Sequence, residues 1–196
     1  IAARTLFSTN RYILFEANTM TLQIKHYVAG LLGISGIALG TLVPGGPIET
    51  RSFVHINLLT LGMFNTFLTT LVLGSLLLIY FVLQSKPWAM LTAAGIGVSY
   101  LGVYGLDLAK IFPVSPDAMP PALLAIEVVG TILSFPLIAL SIQALQAYKQ
   151  RTFATIPFPY PNNPHRLQLP KIILAISLGI AALTIITFAT SSAMGL

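Results

Sequence analysis

Residues 53 to 83, FVHINLLTLGMFNTFLTTLVLGSLLLIYFVL, contain no Lys, Arg, Asp or Glu. An apolar run of roughly 20 residues crosses a bilayer as a helix, because only the helix satisfies its own peptide groups where water is absent. Four more runs meet that criterion, at about 27–43, 88–106, 121–148 and 172–193. The pattern predicts an all-α integral membrane bundle of five transmembrane helices. It divides the chain into an N-terminal cytoplasmic or interfacial segment, 1–26, and a single transmembrane domain, 27–196.

The breaks are as readable as the runs. PGGP (44–47) ends the first helix, and QSKP (84–87) makes a tight link into the third. DLAKIFPVSPDAMPP, from Asp107, holds four prolines and predicts a stiff loop. KQRTFATIPFPYPNNPHRLQLPK (149–171) is the longest connection, and Pro136 is placed to kink the fourth helix. Met20 opens MTLQIKHYVAG, which reads as a natural start just before the first helix.

Composition strengthens this picture. Hydrophobic residues make up 56% of the chain and charged residues 8%, against roughly 25% charged in a soluble domain. Cysteine is absent, which excludes disulfides, thiolate metal sites and a cysteine nucleophile. The net charge of +5 comes from scattered single cations, so it points to membrane orientation and not to nucleic acid. With the N-terminus cytoplasmic, that side holds Arg4, Arg11, Lys25, Lys86, Lys149, Arg151, Arg166 and Lys171. The other side holds only Arg51 and Lys110, so the C-terminus is expected outside.

Small residues mark close contacts. Gly30, Gly33, Gly36 and Gly40 leave one face of the first helix nearly bare, and Gly36 and Gly40 form a GxxxG pair. That face suits packing within the bundle, against another subunit or against a flat cofactor.

Polar residues inside apolar spans are costly in lipid and usually face the protein interior. Helical spacing aligns His55, Leu59, Gly62, Asn65 and Thr69 on the second helix, and Gly97, Tyr100, Tyr104 and Asp107 on the third. A third stripe holds Glu127, Thr131, Ser134 and Ser141. Glu127 lies six residues into its helix, about 9 Å from the outer end. His55, Asn65, Tyr100, Tyr104, Asp107 and Glu127 are therefore the candidate pocket, in the outer third of the membrane. Glu127 either pins helix packing by a hydrogen bond or serves as a proton site, a cation site or an anchor for a polar ligand. Asp107 and Lys110, one turn apart, are expected to form an exposed pair of small consequence.

Familiar catalytic patterns are missing: the chain has no GxSxG, no HExxH and no glycine-rich phosphate loop. His55, Asp107 and Glu127 barely reach the three ligands a zinc site needs, from three separate helices.

VHINLLTLGMF, residues 54 to 64, resembles a segment of small bacterial membrane proteins distantly similar to haem–copper oxidase subunit I. Those carry His-x-His followed by Leu-Gly; His55 matches the first histidine, whereas Asn57 stands at the second. The resemblance implies a haem- or quinol-associated role carried by His55 alone, and the missing second histidine puts metal binding in doubt.

Three functions follow as expectations. The first is a membrane protein without catalytic machinery, which binds a small ligand in the outer pocket or serves as an accessory subunit of a larger complex. The second is a small transporter or channel coupled through Glu127. The third is a redox component holding haem or quinone near His55, with Tyr100 and Tyr104 against the ring. The expected partners are the lipid bilayer and other membrane subunits or further copies of the chain, with no nucleic acid.

Overall fold

Asn57 decides where the second apolar run becomes helical. Its side chain accepts a hydrogen bond from the Leu59 amide at 2.8 Å, which satisfies one of the donors that a helix start leaves open. The helix therefore begins at Leu58 and not at Phe53. The computed structural model describes residues 23–44, 48–154 and 169–195, with the backbone alone for 150–154, 169–176 and 178. Most of the N-terminal segment and the centre of the long connector lie outside the described residues.

Five helices and no strands occur among the described residues: α1 (23–40), α2 (Leu58–Leu83), α3 (Pro87–Leu108), α4 (Pro121–Ala154) and α5 (Leu169–Met194). α3 and α4 each begin on a proline, which has no amide hydrogen to lose in the first turn. Positive φ angles at Ser85 (57°) and Lys110 (55°) reverse the chain after α2 and after α3. α1 stops at residue 40, three residues before the expected end, and α4 runs six residues past its expected one.

Leu58–Leu83, Pro87–Leu108 and Pro121–Lys149 are long and apolar enough to cross a membrane, with mean hydropathies of 2.2, 1.4 and 2.2. Gly179–Met194 is a shorter apolar helical stretch. The outward faces of these helices are apolar too, with Leu59, Met63, Leu91, Ile132 and Phe135 all exposed. A helix apolar on all sides suits lipid outside and protein inside.

α2 sits between α1 and α5. The glycine face of α1 lies on it, with Gly33 near Ile79, Gly36 near Ser75 and Leu76, and Gly40 near Val72. α5 runs antiparallel to α2, since Asn65 donates to Thr190 at 3.2 Å and Phe53 N–H donates to the Ala193 carbonyl at 3.2 Å. α3 packs along α2 and makes its most extensive contact with α4. Two α3–α4 approaches require glycine. A Cβ on Gly97 would lie 2.8 Å from Ile138 Cγ1, and one on Gly130 would enter the Tyr104 ring.

The segments 48–57 and 109–120 meet at one end of this bundle. Ser52 N–H donates to Asp117 Oδ2 at 2.7 Å, and the Ser115 hydroxyl donates to the Ser52 carbonyl at 3.0 Å. Of the chain's five carboxylate residues, Glu49, Asp107, Asp117 and Glu127 gather at that end.

Candidate functional site

The site begins with a short connector. Seven residues before α2 begins, Arg51 turns inward and becomes almost fully buried. Its NH1 and NH2 groups donate to Asp107 Oδ1 and Oδ2 at 2.9 and 2.7 Å, a fork-to-fork pair. Its NH2 and Nε donate to Glu49 Oε2 and Oε1 at 2.6 and 3.0 Å, and the Arg51 amide donates to Glu49 Oε1 as well. The guanidinium also lies 5.4 Å from the Phe53 ring centre. Burial works against the Arg51 charge, but the hydrogen bonds and charges of Asp107 and Glu49 outweigh it. They raise its pKa, so this is a permanent buried cation.

Helical spacing brings the next residues in. Asp107 is three residues beyond Tyr104 on α3, so both face α4 and α2. The Tyr104 ring packs against Gly130 so closely that a Cβ there would displace it. Glu127 precedes Gly130 by one turn of α4 and is 1% exposed, its carboxyl adjoining that of Asp107. Asn65 reaches the same space from α2. Together Asn65, Tyr104, Asp107, Glu127, Glu49 and Arg51 line a cavity of about 40 Å³, closed by apolar side chains such as Leu61, Phe64 and Leu123.

Two polar atoms on this cavity lack protein partners. Among the described residues no donor reaches Glu127 Oε2, and the Tyr104 hydroxyl has no hydrogen-bond partner. Buried polar groups are normally paired, and an unpaired one costs roughly 1–3 kcal/mol. The space can admit a water-sized group, for which about 10–15 Å³ suffices.

The other candidates fall elsewhere. Tyr100 is one turn deeper than Tyr104, stacked on it at 6.2 Å, and its hydroxyl is 2.7 Å from the Ser75 hydroxyl. It does not line the cavity. His55 is exposed, in the turn before α2, and does not line the cavity either. His55 lies before α2 begins, and within α2 the buried line runs through Leu61, Asn65 and Thr69 while Leu59, six residues from Asn65, faces outward. Gly36 and Gly40 face α2, at ordinary van der Waals separations for an added Cβ. Lys110 is exposed, and the partner of Asp107 is Arg51.

Glu49 and Arg51 escape the periodicity argument because they belong to no helix. A signal was nevertheless present. Arg51 is one of only two cations on the side that the charge bias assigns to the exterior, and a carboxylate stands two residues before it. Among the described residues, no group of three His, Asp or Glu side chains is arranged to hold a metal.

A second, larger cavity of about 340 Å³ lies between α1, α2 and α5. Its lining is apolar apart from Asn65, Thr69 and Thr184. Asn65, Leu39, Leu42, Pro44 and Leu68 line both cavities, which therefore adjoin.

A family model described as a domain of unknown function (DUF8051) matches residues 24–156, so the chain belongs to that family. The matched stretch includes Glu49, Arg51, Asn65, Tyr104, Asp107 and Glu127, and leaves α5 outside. No curated protein matches the chain, and no solved structure does. The likeness of residues 54–64 to haem–copper oxidase subunit I has no counterpart in these comparisons, and Asn57, at the second histidine position, caps α2.

Proposed function

We propose that this member of the DUF8051 family is an integral membrane protein of five spans, with its N-terminus cytoplasmic and its C-terminus outside. In this reading it binds a small ligand at the outer end of the bundle. One observation carries it: Glu127 Oε2 and the Tyr104 hydroxyl are buried, without partners, on the same cavity. The surrounding groups are preorganised, because Arg51 is locked between Glu49 and Asp107 and Tyr104 is held against Gly130. The role is recognition, and no catalytic step is assigned.

Extraction of the protein in native lipid particles, followed by mass spectrometry, tests the proposal. Wild type should carry a small molecule that both Glu127→Gln and Tyr104→Phe lose. Identical bound contents in all three would defeat it.

A second reading, a small transporter coupled through Glu127, draws support from the charge balance. One guanidinium faces three carboxyl groups, Glu49, Asp107 and Glu127, and the surplus calls for protons or a cation. Proteoliposomes distinguish the two readings, since only a transporter should dissipate an imposed proton or cation gradient in a Glu127-dependent way.

A further inference from the structure

The polar cavity and the apolar chamber adjoin, and neither alone describes what the site would take. The polar side offers acceptors in excess: Arg51 is taken up by Glu49 and Asp107, the Glu127 carboxyl has the neighbouring Asp107 carboxyl as its side-chain partner, and no donor among the described residues reaches Glu127 Oε2. A ligand group that only accepts hydrogen bonds would worsen that imbalance. A group that donates several and carries positive charge would relieve it. At about 40 Å³, where about 10–15 Å³ suffices for one water, the space has room for a small polar head such as an ammonium group. A metal ion fits poorly, given that the described residues form no metal-ligating group of three.

The chamber supplies the rest. Its volume of about 340 Å³ falls at the small end of the range for ligand pockets, roughly 300–1,000 Å³. Leu73, Val72, Ile185 and Phe188 give it an apolar interior. Asn65 lines both this chamber and the polar cavity. A molecule lying in the chamber thus has Asn65 within reach of one end, and Glu127 and Tyr104 line the adjoining space.

We infer that the ligand is a lipophilic ammonium ion, with its head at Glu127 and Tyr104 and its apolar body in the chamber between α1, α2 and α5. Three ammonium hydrogens suit the Glu127 oxygen and the Tyr104 oxygen, and the ion's charge offsets the surplus carboxyl. The apolar body replaces lipid or void against Leu73 and Phe188. The inference rests on the ligand-binding reading above and adds the chemical class.

Octylammonium and octanol, titrated calorimetrically into the full chain in lipid nanodiscs with empty discs as blank, test it. The two probes share a body and differ in the head. Octylammonium should bind wild type about ten-fold or more tightly than octanol, the effect of one hydrogen bond to a charged group. Glu127→Gln should abolish that preference, and Tyr104→Phe should reduce it, which covers the case in which the first variant fails to fold. Thr184→Phe, which adds bulk at the chamber from an exposed position on α5, should weaken both probes alike. Equal affinities that remain sensitive to Thr184→Phe would overturn the ammonium head and leave the ligand-binding reading intact. A preference that survives Glu127→Gln would overturn the placement of the head. If neither probe binds wild type, the chamber assignment falls, while the native-lipid experiment still decides the broader reading.

Discussion

Arg51 and Asp107, 56 residues apart in sequence, form a two-pronged ion pair that clamps the segment before α2 to the end of α3. A buried pair of this kind is often no better for stability than apolar packing, yet breaking it from one side is costly. Asp107→Asn should therefore destabilise the protein by about 3 kcal/mol, the lower end of that range because Glu49 still holds Arg51. Lys110→Ala should change little, since Lys110 is exposed and is not the partner of Asp107. Equilibrium unfolding in mixed micelles compares the two. Equal losses would refute the assignment of Arg51 as the partner.

Glycines on the two helix interfaces should differ in their tolerance of a methyl group. Gly130→Ala drives a carbon into the Tyr104 ring and should cost about 1–3 kcal/mol, the usual range for overpacking. Gly36→Ala meets its neighbours at 3.5 Å or more and should be nearly neutral. Removing the ring with Tyr104→Ala should lower the penalty of Gly130→Ala, and a double-mutant cycle measures that coupling.

The tyrosines offer a sharper contrast. The Tyr100 hydroxyl bonds to Ser75, whereas the Tyr104 hydroxyl has no protein partner. Tyr100→Phe should destabilise the ligand-free protein by about 0.6 kcal/mol, the average for a hydrogen bond between membrane helices. Tyr104→Phe should be neutral or stabilising, because it deletes a buried unsatisfied group. Thermal melts of ligand-free protein would show the order. A larger loss at Tyr104 than at Tyr100 would mean that its hydroxyl is satisfied after all.

Topology is checked with reporter fusions. A reporter after Leu196 should be active outside, and one within 155–168 should be active in the cytoplasm. Finding both on one side would remove the odd number of crossings on which the orientation depends.

Much of the arrangement was legible in the order of residues. Absence of charge delimited the long apolar helices, because charge is what lipid excludes most strongly. Helical spacing aligned Tyr104 with Asp107, their common depth with Glu127 brought the three together, and Asn65 lines the same cavity. It failed at His55, where the apolar run continues but the Asn57 cap delays the helix, so that extrapolated periodicity pointed the wrong way. It was silent on Glu49 and Arg51, whose positions depend on a folded connector and on a long-range ion pair. Tyr100 was placed on the right face but one turn too deep for the cavity, since spacing alone gives direction and not depth of access.

The placement of α5 carries a consequence for what lies around the family core. The matched stretch ends at residue 156, and α5 starts at Leu169. The family-defined stretch contains every side chain that lines the polar cavity, whereas α5 contributes Thr184, Ile185, Phe188 and Ala189 to the apolar chamber and Thr190 to cover Asn65. The head of any guest would thus be read by the family-defined stretch alone, and its body jointly by that stretch and α5. Exchanging residues of α5 should alter the length and girth of molecule admitted while leaving the demand for its charged end untouched.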